Sequence, residues 1–67
     1  MYTFSSMIEQ YRQTAEAIEE RLVKLRLAAR EALPEDELLL RERIGLLYSE
    51  LTDLRIVIAY LESHYSS

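Results

Sequence analysis

Apolar residues recur along this chain at alternating steps of three and four. From Leu40 to Tyr65 the run is Leu40, Ile44, Leu47, Leu51, Leu54, Ile58, Leu61 and Tyr65. Such spacing keeps one side of a helix against a partner helix. An earlier run, Phe4, Ile8, Tyr11, Ala15, Ile18, Leu22, Leu25, Ala29 and Ala32, has the same alternation. Between the two stands the single proline, Pro34. Two helices are therefore expected, one over about 4–32 and one over about 35–64, joined by a turn at about 33–35.

The ends of these helices carry their own signals. Thr3, Ser5 and Ser6 could each accept a hydrogen bond from a free first-turn N–H, and Ser6 with Glu9 has capping-box spacing. With Thr3 as the cap, Tyr2 and Met7 could instead form a hydrophobic staple. Arg21, Lys24, Arg26 and Arg30 suit the negative end of the first helix dipole. Leu33 precedes proline and is pushed out of the helical region. Pro34 followed by Glu35, Asp36 and Glu37 reads as the first turn of the second helix. So short a connection forces the helices antiparallel. Gly45 interrupts the second helix off its seam, at a cost of ~1 kcal/mol relative to alanine. It reads either as a close approach by another backbone or as tolerated drift.

Folding the seams together gives one register. Ala29 meets Leu40, Leu25 meets Ile44, Leu22 meets Leu47 and Ile18 meets Leu51. Ala15 then meets Leu54, Tyr11 meets Ile58, Ile8 meets Leu61 and Phe4 meets Tyr65, with Arg21 near Glu50 on the flank. The fold expected is an all-α, antiparallel two-helix hairpin forming a single domain over 1–67, each arm about 40–45 Å long.

The second helix carries more apolar surface than one seam can cover. Leu38, Leu39, Leu46, Ile56, Val57 and Tyr60 lie outside it. With Ile44 as heptad position a, Leu39, Leu46 and Tyr60 share position c and Val57 takes the neighbouring g. Met7 and Ala28 lie on the same flank of the first helix. An exposed strip of this kind marks an interface, assigned to Leu39, Leu46, Val57, Tyr60 and Met7. The occupant expected first is a second copy, two hairpins making a four-helix bundle. A helix face of a different protein is the other.

Composition narrows the function classes. Sixty-seven residues give a core that is marginal for an isolated monomer. With no cysteine, neither disulfide nor thiolate metal site can reinforce it. A net charge of −4 argues against wrapping nucleic acid. No apolar run approaches a membrane span, and the N-terminus lacks the pattern of a secretory signal, so a cytoplasmic protein is expected. The single histidine, His64, has no companion ligand or acid at useful spacing, and one glycine cannot make a phosphate loop. No enzyme, metal or cofactor is expected. Position e supplies the sharper chemical signal: Arg12, Glu19 and Arg26 on the first helix, and Arg41, Tyr48, Arg55 and Glu62 on the second. Arg12, Arg26, Arg41, Tyr48 and Arg55 together would suit an anion or nucleotide, guanidinium for phosphate and phenol ring for a base. Alternatively Glu19 reaches toward Arg55 and Arg12 toward Glu62, closing the stripe with surface ion pairs.

In length and heptads the chain resembles the small plasmid copy-control proteins, hairpins that dimerise into four-helix bundles and bind paired RNA loops. It is similar in general appearance to the short helical proteins of bacterial prophages. Ser49-Glu50-Leu51-Thr52-Asp53 looks similar to the Ser-Gln-Glu-Leu-Asp of the sporulation aspartyl-phosphatase hairpins, but lacks the glutamine and displaces the aspartate. Each residue rotates a side chain by about 100° on a helix, so that activity does not carry over. The resulting expectation is a non-enzymatic, self-associating interaction module that binds another macromolecule, such as a phage or mobile-element regulator or inhibitor. Anion binding is the alternative, and a response-regulator phosphatase acting through Glu50 or Asp53 the lower one.

Overall fold

A computed structural model describes residues 3–65, with the backbone alone for Phe4 and Tyr65. Two helices form, α1 over Phe4–Glu31 and α2 over Pro34–Tyr65, and they pack against each other. At 1.5 Å per residue their lengths are about 42 and 48 Å, matching the 49 × 18 × 15 Å extents.

Thr3 is the N-cap of α1. Its backbone is extended, its Oγ1 accepts from the Ser6 N–H at 3.1 Å, and its carbonyl accepts from Met7 N–H at 3.0 Å. Ser6 therefore lies within the first turn, and the Ser6–Glu9 capping box does not form. Tyr2, the other half of the suggested staple, lies outside the described residues. At the far end α1 stops at Glu31, one residue earlier than the seam implied. Ala32 has φ −77° and ψ 152°, already extended. Pro34 restricts only Leu33 directly, yet reversing direction in two residues leaves no room for Ala32 to stay helical. The Leu33 carbonyl accepts from Glu37 N–H at 2.8 Å, starting α2 at the proline. Glu35, Asp36 and Glu37 occupy its first turn, where carboxylates are favoured by the helix dipole.

The core is thin. Ala15, Leu22 and Leu51 form a buried cluster, with Ile18, Ile44, Leu47 and Ile58 packed on it; Leu61 is buried further along. All belong to the two seams. The expected Phe4–Tyr65 contact falls on side chains outside those described. The hairpin exposes 5517 Å², whereas a compact monomer of its mass would expose about 4,400 Å². Its radius of gyration, 15.3 Å, likewise exceeds the ~11 Å of a compact domain of this length. Two helices side by side have no third element to cover their flanks.

Gly45 has open space around it: a Cβ built there meets nothing within 4 Å. Within the hairpin no close backbone approach requires the glycine. Gly45→Ala is accordingly expected to stabilise the protein by ~1 kcal/mol, raising the Tm by about 5 °C for so small a domain. Thermal melts followed by circular dichroism check this; a lowered Tm would mean that another backbone does pack there.

Candidate functional site

The hairpin has two unlike flanks, one bearing the e rows and one bearing the g rows. On the e flank a rung crosses from helix to helix once per heptad. Arg12 donates to Glu62, Arg55 donates to Glu19 at 2.7 Å, and the Arg26 guanidinium lies over the Tyr48 ring, 4.8 Å from its centroid. Arg41, next in its row, pairs within its own helix with Glu37 at 2.7 Å.

Side-chain lean explains these partners. A helical side chain tilts toward the N-terminus of its own helix. The seam register sets Glu62 more than one turn beyond Arg12, toward the open end. In an antiparallel pair their tilts bring the two heads toward each other. The same offset joins Glu19 to Arg55 and Arg26 to Tyr48. The Arg12 pKa is raised by its hydrogen bond to Glu62 and then by that carboxylate's charge. These contacts are exposed, with side-chain exposures between 40% and 61% for the two cross-helix pairs. Such pairs contribute at most about 1 kcal/mol each, so they specify register more than they hold the fold.

The five residues proposed for an anion do not converge. Arg12 and Arg26 stand 14 residues apart on α1, as do Arg41 and Arg55 on α2, which is about 21 Å along each axis. A single phosphate could not touch all four. Arg26 and Arg41 do line one shallow groove near the turn, with Arg30 and Glu37.

The g flank is open. Here lie Leu39 (64% exposed), Leu46 (67%) and Tyr60 (59%), with Val57 less exposed and Met7 half-buried. Two grooves adjoin on this side, one lined by Asp36, Leu39, Leu40 and Glu42 and the other by Arg21, Leu25, Leu47 and Glu50. Arg43 and Leu46 belong to both. Arg21 and Glu50 thus face one groove, as their register implied. The structure brings Leu39 and Leu46 into one surface, with Val57 and Tyr60 continuing it toward the open end and Met7 on the α1 side of that end.

Three exposed apolar residues lie outside those anticipated: Val23, Leu27 and Leu33. Val23 and Leu27 occupy positions b and f of α1, the back of the hairpin, and labelling that helix by heptad would have found them. Leu33 is exposed because the extended turn turns it outward. Leu38 and Ile56 are exposed as expected, at positions b and f of α2.

Catalytic groups are sparse. His64 is exposed and packs its ring edge-on against Tyr60, centroids 4.2 Å apart. Ser63 Oγ donates to the Tyr60 carbonyl, and Thr14 Oγ1 to that of Gln10. In the stretch compared with the phosphatase hairpins, Leu51 is buried while Ser49, Glu50 and Asp53 are exposed. Among the described residues no three His, Asp or Glu side chains form a metal-binding group, and no helix is long and apolar enough to cross a membrane. Comparison of the chain with protein-family models, curated proteins and solved structures found no match.

Proposed function

We propose that this protein is a non-enzymatic interaction module, a helical hairpin that pairs with a second copy through its g flank and acts by binding another macromolecule. The observation that carries this reading is the contrast between the flanks. The e flank is crossed by its own ion pairs and the Arg26–Tyr48 contact, while Leu39, Leu46 and Tyr60 stand more than half exposed on the other side. The hairpin exposes about 1,100 Å² more than a compact monomer of its mass, which exceeds the ~800 Å² per partner of a stable interface. Light scattering over a concentration series tests it. The expected mass is about twice the 7.9 kDa of the chain; a constant single-chain mass would defeat the self-association.

Anion binding has one supporting observation, the groove where Arg26, Arg30 and Arg41 outnumber Glu37. Against it, Arg41 already holds Glu37 and Arg26 already covers Tyr48. An incoming phosphate would have to displace a carboxylate that is tethered in place. Millimolar inorganic phosphate or ATP is therefore expected to leave the Tm where sodium chloride of equal ionic strength leaves it. A phosphate-specific rise that Arg26→Ala with Arg41→Ala removes would restore the anion reading. No geometry favours the phosphatase reading, since Glu50 and Asp53 lie on the flank assigned to self-association.

A further inference from the structure

We infer that the two copies pair antiparallel through α2, the turn end of each hairpin lying beside the open end of the other. This rests on the reading of the g flank as a self-association surface and specifies how that surface is used.

Positions c and g of α2 form a second row with alternating steps of three and four. Its apolar members are Leu39, Leu46, Val57 and Tyr60; interspersed are Arg43, Glu50 and Asp53, all three exposed, with Asp36 and His64 at its two ends. The row is a coiled-coil seam in spacing but carries charge at its centre. That charge selects the orientation. Pairing two such rows in parallel sets each residue against its own counterpart. Arg43 would then meet Arg43, Glu50 would meet Glu50 and Asp53 would meet Asp53, three like-charge contacts withdrawn from water. Like-charge juxtaposition across an interface is strongly unfavourable.

Antiparallel pairing removes all three. In the register that aligns c with g positions, Arg43 faces the partner's Asp53, and two-fold symmetry repeats the pair. Leu39 then faces the partner's Val57, also twice. Leu46 lies against the aliphatic stem of the partner's Glu50, whose carboxylate stays at the rim. The next antiparallel register, two turns along, would set Glu50 against the partner's Asp53 and is disfavoured for the same reason. The first helix supports the choice. Arg21 and Lys24, both exposed, lie on this flank at the level of Arg43 and Leu46. They extend the positive patch toward the partner's Glu50 and Asp53. Near the turn Arg21, Lys24 and Arg43 outnumber Glu31 and Asp36, while Glu50 and Asp53 stand nearer the open end, a polarity that matches head to tail.

The chain has no cysteine, so single thiols can report the orientation. Leu39→Cys and Val57→Cys are made separately, each at an exposed site, with helicity checked by circular dichroism. Oxidising an equimolar mixture should give the mixed disulfide at least tenfold faster than either variant joins to itself. Rapid self-linking of Leu39→Cys would overturn the inference in favour of a parallel dimer. A dimer by light scattering with no cross-link in any combination would place the interface elsewhere and also overturn it. A single-chain mass for the unaltered protein would instead defeat the underlying self-association. Charge exchange gives a second readout: Arg43→Glu should weaken the dimer at least tenfold, and adding Asp53→Arg should restore it. Failure of the double variant to recover would count against the Arg43–Asp53 pairing.

Discussion

Leu51→Ala is expected to abolish the cooperative unfolding transition, or to lower the Tm by more than 15 °C where one survives. Leu51 is the most buried side chain of the cluster, 2% exposed; Ala15 and Leu22 are buried with it, and Ile18, Ile44, Leu47 and Ile58 pack on them partly exposed. Truncating a buried leucine removes its transfer free energy and leaves a cavity, together about 2–5 kcal/mol. A domain of this length has roughly 3–10 kcal/mol of total stability, and the thin core argues for the lower part of that range. No third layer can collapse into the space, because the cluster lies between only two helices. Circular dichroism melts measure the effect. Ile56→Ala is the matched control: Ile56 is 63% exposed at position f, so its truncation should move the Tm by only a few degrees. Equal losses at the two sites would show that the hairpin packing described above is wrong.

Leu46→Glu is expected to convert the proposed dimer to a single chain at micromolar concentration, with little loss of helicity. In one hairpin Leu46 is 67% exposed, so the substitution removes little packing within the chain. In the dimer it would bury a carboxylate against an apolar surface and beside Glu50, a cost of several kcal/mol. Each 1.4 kcal/mol weakens association tenfold, so a hundredfold loss or more follows. Leu38→Glu supplies the contrast. Leu38 is 64% exposed, almost the same as Leu46, but it sits at position b beside the e flank, lining a groove with Glu37 and Arg41. Its substitution should leave the mass unchanged by light scattering. Loss of the dimer in the Leu38 variant but not the Leu46 variant would move the interface to the opposite flank. A chain whose mass is single before any substitution would leave the exposed strip to a different protein.

The arginine stripe shows where heptad position ceases to be informative. Positions alone put Arg12, Arg26, Arg41 and Arg55 on the e flank and allowed two outcomes, an open anion site or a set of ion pairs. They located each side chain around its helix but not how far it reaches across. The lean of each side chain toward its own N-terminus, acting in an antiparallel pair, joined Arg12 to Glu62 and Arg55 to Glu19. Arg41 went to Glu37 on its own helix, where the four-residue spacing makes a shorter reach. The exposed apolar residues were easier to locate. Leu39, Leu46 and Tyr60 share one heptad position, and a side chain that points away from the only other helix stays exposed.

Helix number, the place of the turn and the antiparallel packing of the two helices followed from the order of residues. Two apolar seams joined by a two-residue turn can pair only side by side in opposite directions, and a proline between them allows no continuous helix. These are one-dimensional properties, set by periodicity and by the stereochemistry of proline, and they hold before any contact forms. The packed hairpin decided the rest: that Thr3 rather than Ser5 or Ser6 caps α1, that Ala32 leaves the helix, and that one flank is crossed by its own charges while the other stays open. Each of those outcomes depends on distances between atoms far apart along the chain or on the exact path of a two-residue turn. Only after the backbones were placed did the carboxylates of Glu19 and Glu62 come within reach of their arginines, while Leu46 was left facing outward.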